Sequence, residues 1–112
     1  KIGEDMKTTF NVSHLEENSI IRDHFQDRTM KLQKYLKRFK EDLVYLHGTL
    51  DKNPHKVEFY ASLSLYLPSV TLHCRERAGY YALALNLAFL DIARQIEKHT
   101  DKLNREKRRR VR

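Results

Sequence analysis

The side chains with the clearest chemical potential in this chain are cations, and they are unevenly spread. From Arg22 to Lys40, seven Lys/Arg stand against Asp23 and Asp27, a net of +5. From Arg94 to Arg112, nine stand against Glu97, Asp101 and Glu106, a net of +6. The whole 112-residue chain carries only +7, so the remainder sums to −4. Guanidinium and ammonium groups gathered this way pair with phosphate oxygens. Two basic stretches on an otherwise acidic chain are the electrostatic footprint of a nucleic-acid binder. A helix that is basic only for solubility mixes its signs more evenly.

Other chemistry is poorly supported. His14, His24, His47, His55, His73 and His99 are scattered, and none has a Cys or acidic partner at metal-ligand spacing. Only three glycines are present, and none sits in a phosphate-cradling loop. Glu41 and Asp42 are adjacent at an expected strand entry, where alternation would send them to opposite faces. Cys74 is a lone thiol, which cannot form an internal disulfide and fits a reducing cytoplasm. Its neighbours Arg75 and Arg77 could lower its pKa, against the plainer reading of a small apolar residue facing the core. No cofactor, metal or catalytic activity is expected, and no apolar run approaches the ~20 residues needed to cross a bilayer.

The elements that must position the cations follow from periodicity. Lys7–Val12 is a short strand candidate. Asn18 is a plausible N-cap, with Glu16 and Glu17 beside the helix N-terminus. Ile21, Phe25, Leu32, Leu36 and Phe39 form one apolar stripe, so the spacing predicts a helix over Ser19–Phe39 with Arg28, Lys31, Lys34 and Arg38 off that stripe. Asp42–Leu50 reads as a strand, with Val44, Leu46 and Leu50 inward, and DKNPH at 51–55 is the clearest turn. Lys56–Leu67 alternates with Val57, Phe59, Ala61, Leu63, Leu65 and Leu67 inward. Val70–Arg77 alternates again, with Val70, Leu72 and Cys74 on one side. After Gly79 a long helix carries Tyr81, Leu85, Ala88, Phe89, Ile92, Ile96 and Leu103 on one face. The order is β-α-β-β-β-α. It predicts an α+β two-layer sandwich, a four-stranded sheet covered on one face by two helices. Both basic faces would then lie in one layer. One domain is expected over 6–107, with 1–5 an upstream extension or expression remnant and 108–112 a frayed basic tail.

These residues resemble a known family. The element MKLQKY at 30–35, preceded by Arg22, is similar to the arginine-bearing first helix of the ribosome hibernation-promoting factors, also called ribosome-associated inhibitors or sigma-54 modulation proteins. Leu65-Tyr66-Leu67-Pro68 followed by Leu72-His73 resembles their third and fourth strands. Ile92 to Leu103 resembles their last helix. The last helix departs at its start, where Tyr80-Tyr81-Ala82 replaces an acid followed by an aromatic, and at Leu90-Asp91. The resemblance implies the same β-α-β-β-β-α fold, and a short member or an N-terminal domain. It also implies binding to small-subunit ribosomal RNA in the cleft where mRNA and tRNA pass, which blocks translation. The contacts it implies are Arg22, Arg28, Lys31, Lys34, Arg94, Lys98 and Lys102. Charge position alone adds Lys37, Arg38, Arg105, Arg108 and Arg109.

Some features stay open. Tyr80, Leu83, Leu87 and Leu90 fall opposite the core stripe, which points to weak self-association or another protein contact, or else to burial against the first helix. Tyr45, Tyr60, Tyr66, Thr71 and His73 share the outer sheet face, where aromatics can stack bases or simply pair across strands. Two other functions compete: a double-stranded RNA-binding domain, and a protein-interaction regulator of transcription. The first is disfavoured by the extra leading strand and by the absence of a basic run opening the last helix.

Overall fold

The computed structural model describes residues 6–111, with side chains described through 109; the segment 1–5 lies outside the described residues. The order is β1 (Lys7–Ser13), α1 (Ser19–Leu32), β2 (Tyr45–Lys52), β3 (Phe59–Leu67), β4 (Val70–Ala78) and α2 (Tyr81–Val111). The sheet runs β1-β2-β3-β4. β1 pairs parallel with β2, and the other two pairings are antiparallel. Both helices cover the same sheet face, so the α+β sandwich expected from the sequence is the observed architecture. No described helix is long and apolar enough to cross a membrane.

Burial follows the period-2 pattern. Leu46, Leu50, Leu63 and Leu65 point into the core and are fully buried, meeting Leu85, Ile92 and Ile96 of α2. Each such side chain stabilises the fold by roughly 1.5–3 kcal/mol. Phe25 of α1 stacks on Phe10 of β1 at 4.1 Å and meets Phe89 of α2 edge-on at 5.5 Å. Gly48 lies directly across from Phe10 in the register. A Cβ there would stand 2.6 Å from Phe25 Cε1, so the glycine makes room for the aromatic stack.

The expected helix over Ser19–Phe39 is cut short. Asn18 caps α1 as anticipated, its Oδ1 accepting from Ile21 N at 3.0 Å. However, α1 ends at Leu32, a 3-10 turn follows at Gln33–Tyr35, and another forms at Glu41–Leu43. Leu36 and Phe39 still pack on the core, but from a chain of tight turns rather than a helix. The 14 residues of α1 span about 21 Å, close to the length of the strands beneath. Seven more would overshoot the point where the chain turns back to start β2, whose approach is marked by Lys7 N donating to Val44 O. Glu41 and Asp42 are accordingly in a turn, not at a strand entry.

Two further expectations are corrected. Val57 is exposed, because the hairpin between β2 and β3 occupies 53–58. Asn53 organises this loop, its Oδ1 accepting from His55 N at 2.8 Å and its N donating to Glu58 O at 2.9 Å. The basic end does not part from α2 as a tail, since the helix continues to Val111 with only exposed or half-exposed side chains from Asp101 to Arg109.

Cys74 lies on the inner side of β4, while Arg75 and Arg77 point to the outer face. Its Sγ–H donates to Ala88 O at 3.2 Å. Burial pushes the thiol up to about 12, helped by the nearby Asp91 and Glu76 carboxylates. The plainer core reading therefore holds. Alkylation of Cys74 in the native protein at pH 8 is expected to run about two to three orders of magnitude slower than in denaturant. Mass spectrometry of iodoacetamide adducts checks this; equal rates would contradict the buried thiol.

Candidate nucleic-acid interface

The cations of α1 divide by their partners. Arg22 pairs with Glu17 and lies over the Phe10 ring, with its guanidinium carbon 5.8 Å from the centroid. Asp27 receives both Arg28 at 3.2 Å and Lys31 at 3.4 Å, and those donors hold its carboxyl below the usual range. Arg28 is half-buried and its Nε has no hydrogen-bond partner. Lys34, Lys37 and Lys40 are exposed, with no carboxylate within ion-pair distance among the described residues. Arg38 donates to Asn104 Oδ1 at 3.0 Å, tying the turns after α1 to α2. Lys34, Lys37 and Arg38 thus belong to the irregular segment, not to a helix face, because α1 stops before them.

On α2, His24 of α1 donates from Nε2 to Asn86 Oδ1 at 2.9 Å, which fixes the side of α2 that faces α1. Leu90 and Ala93 line a groove with Arg28, Lys31 and Lys34, and Glu97 and Asp101 line a second one with Tyr35. Gln95 lies on the other flank and donates to His73 O of β4 at 2.8 Å. Helical spacing places Lys98 and Lys102 on that β4 flank with Gln95, and Arg94 and Arg105 between it and the solvent-facing crest. Burial and neighbouring Asp91 hold the Glu76 carboxyl of β4 above the usual range, and Arg94 opposes this only in part. Lys98, Lys102 and Arg105 have no carboxylate within ion-pair distance among the described residues, and Arg108 and Arg109 are exposed further along.

The two basic sets therefore occupy one layer, joined at one end where Arg38 bonds Asn104, next to Arg105 on α2. A strip containing Leu90, Glu97 and Asp101 runs between them. The sequence singled out Leu90 as part of an apolar patch with Tyr80, Leu83 and Leu87. Here Leu87 is half-buried, while Tyr80, Leu83 and Leu90 remain exposed, Leu90 at the rim of the inter-helix groove. Lys40, Glu41, Asp42 and Met30 were not anticipated as site residues. They share a groove with Lys34 and Lys37, which exists only because the helix ends early.

The outer sheet face is a polar grid set by register. Tyr45 stacks on Tyr66 at 5.4 Å, Thr9 Oγ1 meets Tyr45 OH at 2.9 Å and His47 Nδ1 at 2.7 Å, and Arg75 lies 4.6 Å over the Tyr60 ring. These are mutual cross-strand pairs of the ordinary kind.

Comparison with known proteins bears on the fold and the family. The chain is similar to the N-terminal domain of Protein Y from Thermus thermophilus, with a TM-score of 0.70 and 16% identity over 86% of this chain and 99% of that one. It is also similar to a ribosomal subunit interface protein from Coxiella burnetii, at 0.64 and 14% over the same shares. At these identities the structures show a shared fold. Pairwise comparison with curated protein sequences finds no match. A family profile, described as Sigma 54 modulation protein / S30EA ribosomal protein, matches residues 8–104. With that match reaching from β1 through α1 and the other strands to Asn104 of α2, the chain belongs to the Sigma 54 modulation protein / S30EA ribosomal protein family.

Proposed function

We propose that this protein is a cytoplasmic ribosome hibernation factor that binds small-subunit ribosomal RNA in the mRNA and tRNA cleft and blocks translation. The observation that carries the reading is the presence, in one helical layer, of two sets of exposed cations with no carboxylate within ion-pair distance among the described residues: Lys34 and Lys37 after α1, and Lys98, Lys102 and Arg105 on α2. Arg22, Arg28, Lys31, Arg38, Arg94, Arg108 and Arg109 extend these sets. Glu97 and Asp101 between them repel phosphate, so the contacts divide into two lines, each following a separate stretch of RNA backbone. The family membership and the printed title of the Coxiella protein support a ribosomal partner.

Sucrose-gradient sedimentation tests this. The protein is expected to co-migrate with small subunits or whole ribosomes. Five phosphate contacts lose roughly two to three decades of affinity between about 50 and 200 mM salt. Failure to co-migrate at low salt would defeat the reading. A double-stranded RNA-binding domain is less well supported, because its α-β-β-β-α fold has no counterpart to β1 paired parallel with β2.

A further inference from the structure

The early end of α1 opens a groove of about 940 Å³ between the turns at 33–43 and the start of the sheet. We infer that this groove binds a single unstacked nucleotide, with its base against the floor and its phosphate at the rim. Its volume lies at the upper end of the ~300–1,000 Å³ usual for small-molecule sites.

The chemistry of the lining selects the occupant. Met6, Leu36 and Val44 are buried and apolar, and Phe39 adds a half-buried aromatic ring that also stacks on His99 at 6.4 Å and carries the Arg38 guanidinium at 6.0 Å. Lys34, Lys37, Arg38 and Lys40 line the same groove. A simple anion has no use for an apolar floor, and an apolar ligand has no use for four cations. A nucleotide offers both a flat apolar face, which can lie against this floor and the Phe39 ring, and a phosphate for the cations. Duplex RNA cannot fill the groove, because its bases are stacked and paired. Glu41 and Asp42 also line it, exposed and acidic. Carboxylates accept hydrogen bonds from exocyclic amino groups, so adenine, cytosine and guanine should bind better than uracil. The shared ligand chemistry is a nucleobase carrying a phosphate, either within single-stranded RNA or as a free nucleotide. The in-strand case rests on the ribosomal RNA reading above.

The test is a titration of the ¹⁵N-labelled chain with AMP, UMP and ribose 5-phosphate. AMP is expected to shift the amides of Met6 and of 34–42, binding about tenfold more tightly than ribose 5-phosphate and more tightly than UMP. Met30 is 70% exposed at the groove, so Met30→Glu should leave the other amides in place while removing the AMP preference. Two single-stranded decamers, one with bases and one abasic, separate the sources. A preference for the base-bearing strand marks an in-strand nucleotide, and AMP binding without that preference marks a free one. Equal shifts with AMP and ribose 5-phosphate, no shift at 34–42, or stronger binding by an acidic aromatic peptide would each overturn the assignment. Such a failure with ribosome co-migration intact removes the groove alone; lost co-migration with AMP binding intact removes the ribosome reading alone.

Discussion

Lys34→Glu combined with Lys98→Glu is expected to weaken ribosome binding by about a hundredfold or more and to lower the salt dependence by about two ions. The two lysines come from the two separate basic sets, and both are exposed without a carboxylate partner among the described residues. Reversing each charge removes one phosphate contact and adds one repulsion. Lys31 would be a poorer choice, because it pairs with Asp27, and its reversal would place two like charges one helical turn apart. Neither substituted side chain reaches the core, so thermal stability should change by less than about 0.5 kcal/mol each. Sedimentation at two salt concentrations, alongside a circular-dichroism melt, reads both quantities. The single variants should each lose about half of the logarithmic effect if the sets act independently. Undiminished binding by the double variant would remove the phosphate-clamp mechanism and leave family membership as the basis for a ribosomal partner.

The largest effect on stability is expected from Phe25→Ala. Phe25 is 3% exposed and joins β1, α1 and α2 through Phe10 and Phe89. Its truncation removes the stacked pair and leaves a cavity, which destabilises by ~3–5 kcal/mol. Domains of this class have only about 5–15 kcal/mol in total, so the variant should be partly unfolded near 37 °C. Gly48→Ala acts on the same contact from the opposite direction. The new methyl group collides with Phe25 Cε1, and overpacking of this kind costs about 1–3 kcal/mol. The two substitutions should therefore be coupled: Gly48→Ala should cost much less in the Phe25→Ala background, where the ring is gone and only Leu63 Cδ2, 3.1 Å from the new Cβ, has to give. Urea denaturation of the four-member cycle measures this. Strict additivity would mean that the glycine is not there to admit the phenylalanine.

Local patterns in the sequence already determined much of this protein. Ala61, Leu63, Leu65 and Leu67 on one side, with Tyr60, Ser62, Ser64 and Tyr66 on the other, define a strand and its buried face without reference to anything else. The same holds for Asn18 as a cap, for the core face of α2, and for the two concentrations of charge. These depend on neighbours a few residues away, which a linear chain displays directly. What the tertiary structure decided depends on distant residues. Nothing between Gln33 and Phe39 is a helix breaker, and α1 ends at Leu32 because the chain must return to start β2 beside β1. That return converts a presumed helix face into turns and opens the groove lined by Lys34, Lys37 and Lys40. Likewise, the sequence counts Asp27, Glu97 and Asp101 only as reductions in net charge. The fold places Asp27 against Arg28 and Lys31, and sets Glu97 and Asp101 between the two basic sets. Charge totals add along a chain, but screening and repulsion depend on distance through space, and only packing sets those distances.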